Sequence, residues 1–466
     1  MSKIHHCILG ICFFILLFFH VSCNIGEKKP DAVAEKSAPP KNKALALKPP
    51  MGWNSYDCFG LAANEAEIRA NAEFMAKNLK HLGYEYIVID MGWYGDEAAT
   101  DYVAFTHETI PVKPNYTLDE FGRFLPDPGK YPSSVNGTGF KPLADYIHSL
   151  GLKFGLHILR GIPWEAAEKN LPIKKTKVGA ASIAQPDKGC EWWDGIYGID
   201  MSKPGAQEYY DSMFELFAEW GVDFVKADDM EDPDIIAIGK ASRTCGRDIV
   251  ISIVGGRDIS IKKEHAHMAR LGADFWDVWE MLKRGFPLAA KAMSETESGF
   301  WPDLDMLPVG KIGIKISYKG PEPRISNFTK DELYSLLTLW YISRQPLMIG
   351  GHLPETDPLT LELLSNKEAL EVNRNSINSR QIKFKNAIII WAADVPDSND
   401  KYLAFFHQWE SVDPINIKVS WDQIGLETGG EYKVRDLWTK KDLGTFKNGF
   451  NHSIPMHGAG LFKISK

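Results

Sequence analysis

The sequence offers little with which to bind nucleic acid, a metal or a dinucleotide. Asp and Glu (61) outnumber Lys and Arg (53), the formal net charge is -8 and no long basic run occurs. The clustered cations that a phosphate backbone requires are therefore missing, and no nucleic-acid partner is expected. No CxxC pair and no zinc-like ligand spacing is present, so no metal is expected. Of six cysteines, Cys7, Cys12 and Cys23 lie close to the N-terminus. Cys58, Cys190 and Cys245 form an odd, widely spaced set that signals no disulfide framework. No GxGxxG follows a strand-like run, which argues against a dinucleotide fold. The N-terminal apolar run, Ile8 to Phe19, is too short to span a bilayer comfortably.

That run has a reading of its own. Lys3 precedes it and Ser22-Cys23 follows it, an arrangement that resembles a bacterial lipobox. The resemblance implies a signal peptide over residues 1–23 and lipidation of Cys23. It also implies export and anchoring to the bacterial envelope, with the lipid as the only membrane contact. Residues 24–46 are rich in Lys, Pro and Ala and are expected to form a flexible tether.

The remaining length suits one large and one smaller domain. Over residues 47–375, short apolar runs alternate with amphipathic helical stretches, the rhythm of parallel α/β folds. Tyr86 to Ile89 reads as a buried strand ending at Asp90, preceded by an apolar helical stripe of Ile68, Ala72, Met75, Leu79 and Leu82. Asn64 and Glu67 suit a capping box for that helix, as do Thr329 and Glu332 for a later one. About eight such units match a (β/α)8 TIM barrel. From residue 380 to 466 short strand-like runs separated by turns predict a small antiparallel β-sandwich domain.

Four acids fall at the predicted C-terminal ends of strands: Asp90, Asp228, Asp274 and Asp305. Those ends build the active site of such barrels. Singly, an aspartate there is a turn or cap residue, but four together concentrate negative charge, a cost usually tolerated for function. Paired carboxyl groups are also what glycoside hydrolysis uses, one as nucleophile and one as acid and base. Glu264-His265-Ala266-His267 is no metal motif, because two histidines two apart on a helix point to different faces, and surface histidines are expected.

Five ordered segments carry a resemblance to a known family. They are Met51 to Tyr56 (MGWNSY), Gly83 to Asp90, Gly151 to Gly155, Trp220 to Asp228 (WGVDFVKAD) and Trp301 to Leu307 (WPDLDML). In this order they resemble glycoside hydrolase family 27, the α-galactosidase (melibiase) family. The resemblance implies a retaining, exo-acting α-glycosidase without cofactors that acts on an α-linked oligosaccharide or glycan. Asp228 then corresponds to the nucleophile and Asp274 to the acid/base. Asp90, Lys226, Arg270, Asp305, Tyr56, His157 and Trp301 are expected to bind substrate.

The departures bear on specificity. The family pattern Asp-Asp on the second strand is here Asp90-Met91, and the second Asp helps hold galactose on its O4/O6 side. His157 stands where the third strand usually has Tyr, and Val254 lies where a Glu is common. Release of terminal α-D-galactose is the default expectation. A β-L-arabinopyranosidase, an isomalto-dextranase-like α-glucan hydrolase and a non-catalytic sugar-binding lipoprotein are the alternatives.

Overall fold

A computed structural model describes residues 41, 43–95, 115–191, 193, 195–316, 323–410 and 412–466. The expected leader, Cys23 and the tether up to residue 40 lie outside the described residues.

Eight parallel strands form the large domain: β1 (Met51–Asn54), β2 (Tyr86–Ile89), β3 (Lys153–Leu159), β4 (Phe224–Met230), β5 (Val250–Gly255), β6 (Met268–Arg270), β7 (Trp301–Asp303) and β8 (Leu347–Ile349). Their order around the sheet is 7-6-5-4-3-2-1-8. The ring closes just past β7, where Leu307 donates to Met348 O (2.8 Å) and accepts from Gly350 N (2.9 Å). This is the predicted TIM barrel. Covered on both faces, β2 and β8 carry continuous apolar runs rather than alternation, as buried parallel strands do. Tyr86, Val88, Phe224, Val250, Met268, Trp301 and Met348 fill the barrel interior.

The helices follow the local signals. In α1 (Glu65–Asn78) Asn64 accepts the Glu67 N–H and Glu67 returns a bond to the Asn64 N–H, a complete capping box. Caps of this kind contribute roughly 0.5–2 kcal/mol. Ile68, Ala72, Met75 and Leu79 are fully buried, as their spacing predicts. A second box, Thr329 with Glu332, starts α7 (Lys330–Ile342). Between these lie α2 (Lys141–Ser149), α3 (Ala206–Trp220), α4 (Asp232–Thr244), α5 (Ile259–His265) and α6 (Trp279–Ala292).

The small domain is the expected β-sandwich, and its described residues form eight strands. They are β9 (Ile377–Lys385), β10 (Ile388–Asp394), β11 (Lys401–His407), β12 (Ile415–Ser420), β13 (Glu431–Asp436), β14 (Lys441–Lys447), β15 (Gly449–Ile454) and β16 (Ala459–Ser465). Six pair in the order 9-10-11-16-13-14, and β12 pairs with β15. It docks on α6 and α7: the His457 ring stacks on Trp279 at 3.9 Å between centroids, and His457 Nδ1 lies 2.8 Å from Glu332 Oε1.

Two expectations are corrected. The tether does not extend to residue 46: Lys43–Ala46 forms a 3-10 turn whose last carbonyl accepts from Gly299 N (2.9 Å) and Trp301 Nε1 (2.8 Å). His265 and His267 are buried, because the helix ends at His265 and the chain dives into β6. His267 Nδ1 accepts the Ile251 N–H at 3.0 Å. Tyr94, Tyr116 and Trp193, on the long segments that follow β2 and β3, are buried in loop packing.

Candidate active site

The C-terminal strand ends surround a pocket of about 390 Å³. Asp90, Lys226, Asp228, Arg270, Asp274, Asp305 and Tyr56 all line it. A pocket of this size suits a small ligand held by a few convergent polar groups.

One geometric device recurs at three strand ends. Asp90, Asp228 and Asp305 each turn Oδ1 back to accept the N–H of the next residue, at 2.9, 2.7 and 2.7 Å. This bond fixes the carboxyl plane and leaves Oδ2 for other partners. Asp90 Oδ2 accepts from Lys226 Nζ (2.7 Å) and Asn54 Nδ2 (2.7 Å). Asp228 Oδ2 lies 3.4 Å from His157 Nε2. Asp305 Oδ2 lies 2.5 Å from Arg270 Nη1 and accepts from Phe275 N (2.8 Å).

The backbone at two of these ends has a positive φ. Asp305 has φ +98° and Asp229, next to Asp228, has φ +55°. Asp229 sits in the left-handed region that aspartate tolerates, whereas Asp305 lies beyond it, where a side chain is strained. The β4–β5 register also slips between Ala227 and Met230, a bulge that re-aims the Asp228–Asp229 pair. Arg160 secures it, donating to Asp229 O (2.6 Å) and Asp229 Oδ2 (3.0 Å). Lys226 and Asp228, two apart on β4, share a face and enter the same pocket, as strand alternation predicts.

Electrostatics separates the carboxyl groups. For Asp228, burial pushes upward, but the hydrogen bond and charge of His157, then Lys226 and the Asp229 N–H, outweigh it and hold the carboxyl below its ordinary value. Asp90 behaves likewise: burial opposes ionisation, while Lys226 and His157 drive its carboxyl far down. Burial also works against the Lys226 ammonium, yet Asp90 and Asp228 keep it protonated well past its normal range. Asp305 goes the other way. Desolvation, aided by Asp274 and Asp303, exceeds the pull of Arg270 and leaves it at about 7. Arg270 Nη1 also reaches Asp274 Oδ1 at 3.2 Å, and the Asp274 side chain is 69% exposed at the pocket mouth.

Two expected residues stand elsewhere. Trp301 is not in the site. It begins β7 at the opposite end of the strand from Asp305, fills the barrel floor and stacks beneath Arg344 at 4.7 Å. The motif that contains it spans the barrel from base to mouth, so its first and fifth residues cannot share a ligand. His157 is fully buried behind Asp228 and does not line the pocket. It acts on the site through Asp228.

The structure adds residues that the sequence did not single out. Asn54 orients Asp90. Trp276 joins the pocket wall, its ring 6.4 Å from that of Tyr56. Asp57 lines the pocket as well. Trp276 stood two residues from Asp274 in the sequence, a signal that was available. Asn54 and Asp57 gave none beyond their place in the first motif. Met91 and Val254 both line the pocket, so the departures noted in the sequence fall where ligand would sit.

Comparison with known proteins agrees with this architecture. Residues 187–375 match the family model described as alpha galactosidase A, and residues 385–464 match the alpha galactosidase C-terminal beta sandwich domain. The chain is 26% identical to an α-galactosidase of Cyamopsis tetragonoloba, over 99% of this chain and 98% of that protein. It is 41% identical to a solved β-L-arabinopyranosidase of Geobacillus stearothermophilus, with TM-score 0.85, covering 91% of this chain and 98% of that one. A variant of that enzyme solved in complex with arabinose matches equally well. Solved α-galactosidase I from Mortierella vinacea shares the fold at TM-score 0.70 and 22% identity, over 91% of this chain and 98% of the other. The chain therefore belongs to glycoside hydrolase family 27, the α-galactosidase family, and is a glycosidase.

Proposed function

We propose that this enzyme is a retaining exo-glycosidase that releases a terminal β-L-arabinopyranosyl group. The observation that carries the choice of sugar is Met91. It lines the pocket directly after Asp90, where an acid would hold the C6 side of galactose. L-arabinopyranose has the ring and hydroxyl arrangement of galactose without the C6 group. A thioether cannot satisfy a primary hydroxyl, and burying that hydroxyl without a partner costs roughly 1–3 kcal/mol. Similarity to the Geobacillus β-L-arabinopyranosidase supports the same choice. The more distant α-galactosidases support α-D-galactoside as the second reading.

In this reading Asp228, held ionised by His157 and Lys226, attacks the anomeric carbon as the glycosidic C–O bond breaks. Asp274, at the open mouth where the leaving group departs, gives its proton to the leaving oxygen. Water then attacks the anomeric carbon, Asp274 takes the proton and the bond to Asp228 breaks. Lys226, Asp90, Arg270, Asp305 and Tyr56 hold the sugar. Hydrolysis of p-nitrophenyl β-L-arabinopyranoside, α-D-galactoside and α-D-glucoside tests the proposal. A higher kcat/KM on the arabinopyranoside is expected. Preference for the galactoside restores the default reading, and preference for the glucoside overturns both. The leader and Cys23 support a further reading as an exported lipoprotein; loss of incorporated fatty acid in Cys23→Ala is the outcome that reading requires.

A further inference from the structure

The acids around the pocket are partnered, with one exception. Asp57 lies on the short helix Tyr56–Phe59 that leaves β1, and it lines the same pocket. The residue is 1% exposed, and its Oδ2 is buried with no hydrogen-bond partner. Its position is forced by its surroundings. A Cβ on Gly350 would stand 1.8 Å from that oxygen, so the end of β8 is bare to admit the carboxyl. A buried polar atom left unpaired is costly, and an apolar side chain here would avoid that cost.

We propose that the Asp57 carboxyl hydrogen-bonds to a hydroxyl of the bound pyranose, making it a further sugar-contacting residue. The inference rests on the glycosidase reading of the pocket. Burial, followed by repulsion from Asp305, exceeds the attraction of Lys226, and Asp90 and Asp277 add to the repulsion. These causes push the carboxyl well above its ordinary value, toward the neutral acid. A neutral carboxylic acid both donates and accepts, which is the complement of a sugar hydroxyl. The neighbouring carboxylates can only accept. Asp57 thus supplies the donor that Asp90 and Asp228 lack, without adding a charge to an already acidic site.

The test measures kcat/KM for the parent enzyme, Asp57→Leu and Asp57→Asn. The substrates are the p-nitrophenyl glycoside that the parent prefers and its 2-, 3- and 4-deoxy analogues. Asp57→Leu is expected to lose roughly 10- to 100-fold on the full sugar. That loss should vanish on one deoxy analogue, because the hydroxyl and the carboxyl are partners. Asp57→Asn, which keeps a donor and an acceptor, should restore part of the loss. If Asp57→Leu does not fold, Asp57→Asn alone must show its smaller loss confined to one deoxy position. An equal loss on every substrate, or none, overturns the role of Asp57 while the enzyme reading stands. A parent enzyme that hydrolyses no glycoside overturns the reading of the pocket, and this inference with it.

Discussion

Lys226 Nζ stands 2.7 Å from Asp90 Oδ2, and Asp90 is 2% exposed. The pair is a buried ion pair whose halves come from neighbouring regions of the ring, β4 and the end of β2. Removing the cation strands a charge. Lys226→Met should destabilise the fold by about 3–5 kcal/mol at pH 7. The deficit should depend on pH. In the parent, the lowered Asp90 carboxyl contributes stability that persists above its unfolded value near 3.9 and is lost only as pH falls through the lower folded value. In the variant, burial is opposed only by His157, the Met91 N–H and Asn54, so the folded value moves up and acidification relieves the strain. Denaturant midpoints at pH 7 and pH 4 should show the gap between the two proteins closing on acidification.

His157 should set the acid side of the activity profile. Its imidazole, 3.4 Å from the Asp228 carboxyl, does most to offset the burial of that group. His157→Leu removes that support, so the Asp228 carboxyl rises. The acid limb of kcat/KM should then move to higher pH while the alkaline limb stays in place. A pH profile from 4 to 9 reads this directly. An unshifted acid limb would deny Asp228 its place as the ionised group.

Asp274→Ala should discriminate between leaving groups. General acid assistance is worth roughly 10²–10⁴-fold where the departing oxygen needs a proton. The loss should reach that size on an alkyl glycoside and be far smaller on a dinitrophenyl glycoside. Rates on the two substrates, taken as a ratio to the parent, give the answer. A uniform loss would make Asp274 a binding residue.

Met91→Asp should move the substrate preference. The new carboxyl would face the C6 side of the sugar and accept from a primary hydroxyl. The ratio of kcat/KM for α-D-galactoside over β-L-arabinopyranoside should rise by roughly 10-fold or more. An unchanged ratio would place the specificity elsewhere on the wall, with Val254 the next position to exchange.

Much of this was legible in the chain because strand periodicity and caps are local. The stripe from Ile68 to Leu79, the boxes at Asn64 and Thr329, and the acids after β2 and β4 all follow from spacing within a few residues. What failed was depth along the barrel axis. Trp301 and Asp305 belong to one motif, yet a strand's length separates a floor residue from a mouth residue. His265 and His267 were misjudged because helical periodicity was carried past the end of α5. Asp57 and Asn54 escaped notice because their meaning comes from Gly350 and Asp90, which are distant in sequence. The positive φ at Asp305 and Asp229 leaves no mark in composition, since aspartate is ordinary at strand ends.

The turn at Lys43–Ala46 fixes the point at which the chain joins the barrel. The chain is fastened to the barrel floor through the Ala46 carbonyl, under Trp301, whereas the sugar pocket opens at the other end of the same strands. If the chain is grafted to a bead or a vesicle by that side, the mouth looks outward. A bulky polymer can then present its free end to Asp228 without having to squeeze between the enzyme and its support.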